Sequence, residues 1–307
     1  MQAPITEQII QKTKNGKTIL DFIGNTPFVK IEDIGCKLEY FNPSGSTKDR
    51  IAKYIIEKAE KQGLLKKGYK VVEATSGNSG IAFSMVCAVK GYDMIVIMPE
   101  GLTNERMEML KAYGAEIIFT PKAEDLLCEA VRLEDEYSKK KGHYAVKQFE
   151  NEWNIEAHQK TLGKEILKDM KTIDAFVAGI GTGGTLIGVG NAIRKKFPTA
   201  KLAAVEPEES AVMHWERPSH HKIEGIGDGF IPKIIENHLY LVDEVIKIKS
   251  KDAIEMTKKL AKDYGILAGI SSGANFLACQ QLQQQGYKNI CTVFPDRGER
   301  YLSMKFY

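Results

Sequence analysis

The sequence predicts an α/β protein of two three-layer domains with mostly parallel sheets. Three observations carry that expectation. Short β-branched or apolar runs alternate with amphipathic stretches along nearly the whole chain, the signature of parallel strands covered by helices. Three polar, glycine-rich turns each follow an extended segment and precede a helix, as loops at the carboxyl ends of parallel strands do. The 307 residues are enough for two domains.

The elements read in order. Lys70 to Ala74 is a strand, Ser79 to Lys90 a helix of small and apolar residues, and Asp93 to Met98 a second strand. A charged helix from about Asn104 to Tyr113 leads to a third strand, Glu116 to Thr120, and Ala123 to Lys141 reads as one long polar-faced helix. Further strands fall at Ala175 to Ala178, Leu202 to Val205 and Ile290 to Phe294. Helices lie near Ile155 to Met170, Leu186 to Phe197, Ser250 to Tyr264 and Gly273 to Gln285. No internal repeat or low-complexity segment interrupts them.

Composition narrows the function classes. Forty-three Lys and Arg face 40 Asp and Glu, a net charge of only +3. The basic residues form no block interleaved with aromatics, which argues against nucleic acid and membrane surfaces as partners. Met1 to Glu7 lacks the basic-then-apolar run of a signal peptide, and no apolar stretch is long enough to span a bilayer. Cys36, Cys87, Cys128, Cys279 and Cys291 make an odd, scattered set with no zinc spacing. Reduced thiols in a cytoplasmic protein are expected, with Cys87 and Cys279 in the core. His220 and His221 form the one histidine pair and have no third ligand placed to complete a metal site. They are expected in a loop near a site entrance.

The three turns are Asn42 to Arg50, Thr75 to Gly80 and Gly179 to Thr185. Each aims backbone N–H groups and a helix dipole at an anion. Gly179, Gly181 and Gly184 also fit G-x-G-x-x-G, with Glu206 about 20 residues on, where a dinucleotide's ribose would be held. A compact phosphate fits better. Thr182 and Thr185 put two hydroxyls inside the loop, and two other anion-binding turns precede it that a dehydrogenase would not need. A dinucleotide-binding protein remains the remote alternative.

Seven motifs run in order from near the start to near the end of the chain. They are Gly24-Asn-Thr-Pro27, Asn42-Pro-Ser-Gly-Ser-Thr-Lys-Asp-Arg50, Thr75-Ser-Gly-Asn78, Gly181-Thr-Gly-Gly-Thr185, Glu224-Gly-Ile-Gly227, Gly269-Ile-Ser-Ser-Gly273 and Gly298-Glu-Arg-Tyr-Leu-Ser303. In this the chain resembles the cysteine synthase (O-acetylserine sulfhydrylase) and cystathionine β-synthase family of fold-type-II enzymes. These use pyridoxal 5′-phosphate (PLP) in a fold like that of the tryptophan synthase β chain.

The resemblance implies PLP in a cleft between a smaller mobile domain, residues 36–145, and a larger domain formed by 1–35 plus 146–307. It implies that Lys48 holds PLP as a Schiff base and then removes the substrate Cα proton. Asn78 would meet the cofactor's 3′-oxygen, and Gly181, Thr182, Gly183, Gly184 and Thr185 would cradle its phosphate. Ser271 would face the pyridine nitrogen, and Thr75, Ser76, Gly77 and Gln148 would hold the substrate carboxylate. A hydroxyl facing the ring nitrogen does not keep it protonated. That suits loss of a group from Cβ followed by addition of a nucleophile. The substrates implied are L-cysteine, O-acetylserine or L-serine, in a homodimer. Docking of serine acetyltransferase is left open. The chain leaves no room for the regulatory domain or haem-binding extension of some relatives, so regulation through them is not expected.

The chain departs from the family at Asp228, in Gly225-Ile-Gly-Asp-Gly-Phe230, where sulfhydrylases carry a small apolar residue. A carboxylate there can deprotonate a weak nucleophile. The expectation is therefore sulfide-releasing breakdown of L-cysteine to L-serine or lanthionine. The alternatives are cysteine synthesis from O-acetylserine and, for Asp228 itself, a plain turn residue. Two other departures, Glu150-Asn-Glu-Trp-Asn154 and Trp215-Glu-Arg217, either reshape the second-substrate pocket or lie on the surface. Asp296, before Gly298, resembles the cystathionine β-synthase side of the group.

Overall fold

The computed structural model describes residues 16–101, 103–121 and 127–307. Ten strands form two sheets. The six-stranded sheet has the order β1-β2-β10-β7-β8-β9 and the four-stranded sheet β5-β4-β3-β6. The strands are β1 Phe28–Ile31, β2 Ile34–Leu38, β3 Lys70–Ala74, β4 Asp93–Pro99, β5 Glu116–Thr120, β6 His143–Ala145, β7 Ala175–Gly179, β8 Lys201–Pro207, β9 Glu244–Ile248 and β10 Ile290–Phe294. Every pairing is parallel except β1 with β2, a hairpin. Parallel strands are covered on both faces. That is why β7 (AFVAG) and β10 (ICTVF) read as unbroken apolar runs and are almost wholly buried.

The covering helices are α1 Lys48–Lys61, α2 Asn78–Lys90, α3 Asn104–Ala112, α4 Cys128–Ser138, α5 Glu152–Lys160, α6 Leu162–Asp169, α7 Gly184–Lys196, α8 Lys233–His238, α9 Ser250–Tyr264 and α10 Ile270–Gln284. Helix α1 is amphipathic: Ile51, Ile55, Ile56 and Ala59 are buried while Glu57 and Lys61 are exposed; Lys48, at its start, turns into the cleft instead. Helix α2 is buried along nearly its whole length and stops at Gly91, whose φ of 76° a side chain would disfavour.

The predicted helix over Ile155 to Met170 is two helices, α5 and α6. Thr161, at φ −116° and ψ −84°, ends one and begins the other. Of the predicted helix over Ala123 to Lys141, Cys128–Ser138 is helical, and residues 123–126 lie outside the described ones. Strands β1, β2, β6 and β9 were not foreseen. Residue 36 lies inside β2, which pairs with β1 and β10 of the six-stranded sheet.

Each sheet reverses its order once. In the larger sheet the chain steps outward from β7 to β8 to β9, then returns to lay β10 on the other side of β7. In the smaller, it steps from β3 to β4 to β5 and returns to lay β6 beside β3. Beyond such switch points the loops diverge and leave a crevice at the strands' carboxyl ends. The Gly179–Thr185 loop follows β7, and the Thr75–Asn78 turn and Gln148 follow β3 and β6. The crevices of the two sheets face one another.

Candidate active site

The loop after β7 opens onto helix α7, whose first amides have no partner within the helix. Gly183 takes φ 85°, and a Cβ there would strike Ile235. A Cβ on Gly181 would come within 2.7 Å of the Gly225 carbonyl oxygen. Glycines thus let the loop close on its neighbours, leaving Thr182 and Thr185 to line a narrow cavity. Lys48, Asn78, Thr47, Ser271 and Asp296 line the same cavity. Ser271 is buried in the first turn of α10.

Across the cleft, Gly77 N–H donates to Thr75 Oγ1 at 2.9 Å, which sets the turn before α2. Gln148 is buried behind it: its Oε1 accepts from Ser79 at 2.5 Å and its Nε2 donates to Ala74 O at 2.9 Å. Thr75, Ser76, Asn78, Gln148, Lys48 and Asp228 share a second cavity. Of the residues the sequence singled out, Lys48, Asn78, Gly181, Thr182, Gly183, Thr185 and Ser271 line the first cavity and Thr75, Ser76, Gln148 and Asp228 the second, whereas Gly77 and Gly184 shape the loops behind them.

No hydrogen bond to another described residue holds the Lys48 amine. Burial pushes its pKa below the usual lysine value, with Asp228, Asp296 and Glu73 opposing. Asp228 is pushed the other way. Burial raises its carboxyl to about 6, and Lys48 pulls it back. A lysine with lowered and an aspartate with raised proton affinity, facing one cavity, are the ordinary mark of proton-transfer groups.

Asn78 is gripped at both ends. Its Nδ2 donates to Asp296 Oδ2 at 2.6 Å, and its Oδ1 accepts from Arg300. Tyr301 also donates to Asp296, and Arg106 donates to Glu224 at 2.9 Å and to Tyr301 at 3.3 Å. Arg106 lies under the Thr75–Asn78 turn, where a Cβ on Gly77 would meet its Cδ at 2.5 Å. The sequence reading missed Arg106. Its side chain is buried within an otherwise charged helix, and no pattern in the sequence marks that.

His220 and His221 line a cavity of about 120 Å³ at the mouth, together with Glu100, Glu224 and Asp228. Trp215 is 84% exposed, so Trp215-Glu-Arg217 is surface. Asn154 faces the other way: it is wholly buried behind the phosphate loop. Glu206 does not face a ribose site. It is buried beside Met213 N and His214, which it accepts from. The dinucleotide reading loses its acidic residue.

The donor set fits the cofactor that the resemblance implies. Two hydroxyls and the α7 amides suit a phosphate, an unengaged amine faces the same cavity, and the buried hydroxyl of Ser271 in its lining would give a ring nitrogen a neutral partner. Thr47 Oγ1 and Asp296 Oδ1, both buried, are without a hydrogen-bond partner among the described residues.

Residues 19–296 match the model of the family described as pyridoxal-phosphate dependent enzyme. The chain is 46% identical over 301 residues to the cysteine synthase of Staphylococcus aureus, covering 94% of this chain and 96% of that one. Cysteine synthase from Entamoeba histolytica superposes with a TM-score of 0.88 at 37% identity, over 100% of this chain and 93% of its own. A hydrogen sulfide-producing enzyme from Fusobacterium nucleatum does so at 0.88 and 39%, over 93% and 90%. An aspartate-to-asparagine mutant of that enzyme, complexed with an α-aminoacrylate intermediate, matches at 0.89.

Proposed function

The chain belongs to the pyridoxal-phosphate dependent enzymes of the cysteine synthase family, and from that premise we propose that one site serves two outcomes of β-replacement on small amino acids. The first is synthesis: an activated L-serine such as O-acetylserine plus sulfide gives L-cysteine and acetate. The name shared by the relatives at 46% identity supports it. The second is sulfide release: L-cysteine plus water gives L-serine and hydrogen sulfide, or a second cysteine adds to give lanthionine. Asp228 supports it, as does the likeness to hydrogen sulfide-producing enzymes. The comparisons weigh toward synthesis, the site's chemistry toward release.

Bound PLP supplies an electron sink for the pair left at the substrate Cα. The chain's own residues do the rest. Thr75 and Ser76 offer their hydroxyls and the Ser76 amide to the substrate carboxylate, Gly77 sets the turn by donating to Thr75, and Gln148 braces it. Lys48, whose proton affinity burial lowers, removes the Cα proton. Asp228 faces the same cavity and takes a proton from an incoming water or thiol. Hydrosulfide needs no such help and is repelled by the charge.

Residues 36–145, less the part of β2 they include, form the smaller unit in this reading and close on the substrate. A homodimer in the cytoplasm completes it. The family resemblance implies both, and among the described residues no helix is long and apolar enough to cross a membrane.

A product assay tests the proposal. The enzyme is given L-cysteine alone, then O-acetylserine with sulfide, as wild type and as Asp228→Asn. Sulfide with L-serine or lanthionine from the wild type, lost in the variant while synthesis persists, is the expected result. If cysteine is inert with both proteins, the release reaction and the role of Asp228 are withdrawn and synthesis stands alone.

A further inference from the structure

Helix α5 runs behind the phosphate loop and turns two buried polar side chains toward it. Asn154 and His158 are four residues apart and so lie on one face. Asn154 is 0% exposed and His158 1%. Asn154 Nδ2 donates to Thr182 Oγ1 at 3.0 Å and to the Gln148 carbonyl oxygen at 3.0 Å. A carbonyl oxygen only accepts, so its presence fixes which end of the amide is the donor. Thr182 Oγ1 also accepts from Gly184 N at 3.3 Å. With two donors on its oxygen, the single hydroxyl proton of Thr182 is left for the cavity that the residue lines.

His158 Nε2 lies 3.2 Å from Thr185 Oγ1, and its Nδ1 has no partner among the described residues. Burial holds the imidazole well below its ordinary pKa, and the positive Lys48 and Arg50 hold it there too, so the ring is neutral. A neutral ring carries one proton. On Nδ1 it would be a buried N–H with no acceptor, the rarer and costlier defect. On Nε2 it donates to Thr185 and leaves only an acceptor unused.

We propose that Asn154 and His158 are positioning residues that hold Thr182 and Thr185 as hydroxyl donors toward the PLP phosphate. The loop then offers two aimed hydroxyl protons and the α7 amides, and Lys48 is the one lysine or arginine lining the cavity. Charge on the phosphate is met by oriented dipoles, which favour the dianion without a counter-cation.

The test uses the holoenzyme. His158→Phe keeps much of the volume and removes the donor, whereas His158→Gln keeps a donor near the position of Nε2. Cofactor retention on dilution is followed by absorbance, and the phosphate by ³¹P NMR. His158→Phe is expected to retain PLP about tenfold less tightly and to shift the phosphorus resonance, losing one net hydrogen bond. His158→Gln is expected within about threefold of wild type with its resonance unmoved. Thr185→Val is expected to weaken retention similarly, and His158→Phe to add nothing in that background.

The proposal is overturned if His158→Phe leaves retention and resonance unchanged. It is overturned equally if His158→Gln is as damaged as His158→Phe, or if the two losses add in the double variant, because either result means simple packing. Should His158→Phe fail to fold, Asn154→Leu against Thr182→Val makes the same test on the other hydroxyl, with the same outcomes deciding it.

Discussion

Replacing Asp228 by Asn keeps the side chain's size and removes its basicity. In the wild type, burial raises the carboxyl to about 6. With that value about nine-tenths of it is ionised at pH 7 and about one-tenth at pH 5. Release of sulfide from L-cysteine should then fall about tenfold between those pH values, along a one-proton limb centred near 6. An ordinary aspartate would stay almost fully ionised over the same range. Loss of a general base costs about 10² to 10⁴ in rate. Asp228→Asn should therefore lower release at pH 7 by at least about 100-fold and abolish the limb. Synthesis from O-acetylserine and sulfide should stay within a few fold, because hydrosulfide needs no base. Sulfide is measured by methylene blue and L-serine by chromatography. A limb centred near 4, or release by the variant within about threefold of wild type, would refute the reasoning.

The same carboxyl makes a stability prediction. Its folded pKa lies above the unfolded value of 3.8, so the folded state binds the extra proton and its cost appears as pH rises through 4 to 6. Cofactor-free Asp228→Asn should be more stable than wild type by about 1–2 kcal/mol above pH 6, allowing for partial exposure to the cleft. The gain should vanish toward pH 4 in urea titrations. Arg50→Met strands Glu39, which is buried and bonded to Arg50 Nε at 2.6 Å. About 3–5 kcal/mol of stability should go. Burial raises the Glu39 pKa, but Arg50 outweighs it and holds the carboxylate below its usual value. That share of wild-type stability is present above about pH 4.5 and lost below it. Gly184→Ala drives a Cβ into the Asn154 amide, so melting should show a loss of about 1–3 kcal/mol and PLP should be retained less well. Lys48→Ala should lose the borohydride-fixed chromophore and at least about 10³-fold of either reaction, read by absorbance and product assay.

The residues with chemistry in them were legible from the chain alone. Lys48, the Thr75–Asn78 turn, the Gly181–Thr185 loop and Ser271 lie in short contiguous motifs, because backbone amides can cradle an anion only when consecutive residues supply them. The central strands were legible too, since burial on both faces demands unbroken apolar runs such as Ala175 to Gly179 and Ile290 to Phe294. Strand β6 has three residues and β1 four, too few to show a period, and the partner of β6, strand β3, is distant in sequence. The one glycine near the split between α5 and α6 at Thr161 is Gly163, which lies inside α6 and does not mark the break.

Tertiary structure alone decided which polar residues serve the site from behind. Glu206 sits at a spacing that suits a ribose and instead holds the backbone at Met213. Asn154 stands in a segment that reads equally well as surface, yet packs against Thr182. Arg106 belongs to a charged helix and is buried under Gly77. Local sequence states what a residue can donate or accept, whereas its partner is set by which strands return to which side of the sheet. That order, β10 beside β7 and β6 beside β3, comes from long-range packing. It makes the two crevices face each other and joins Lys48 to Asp228 across 180 positions of chain.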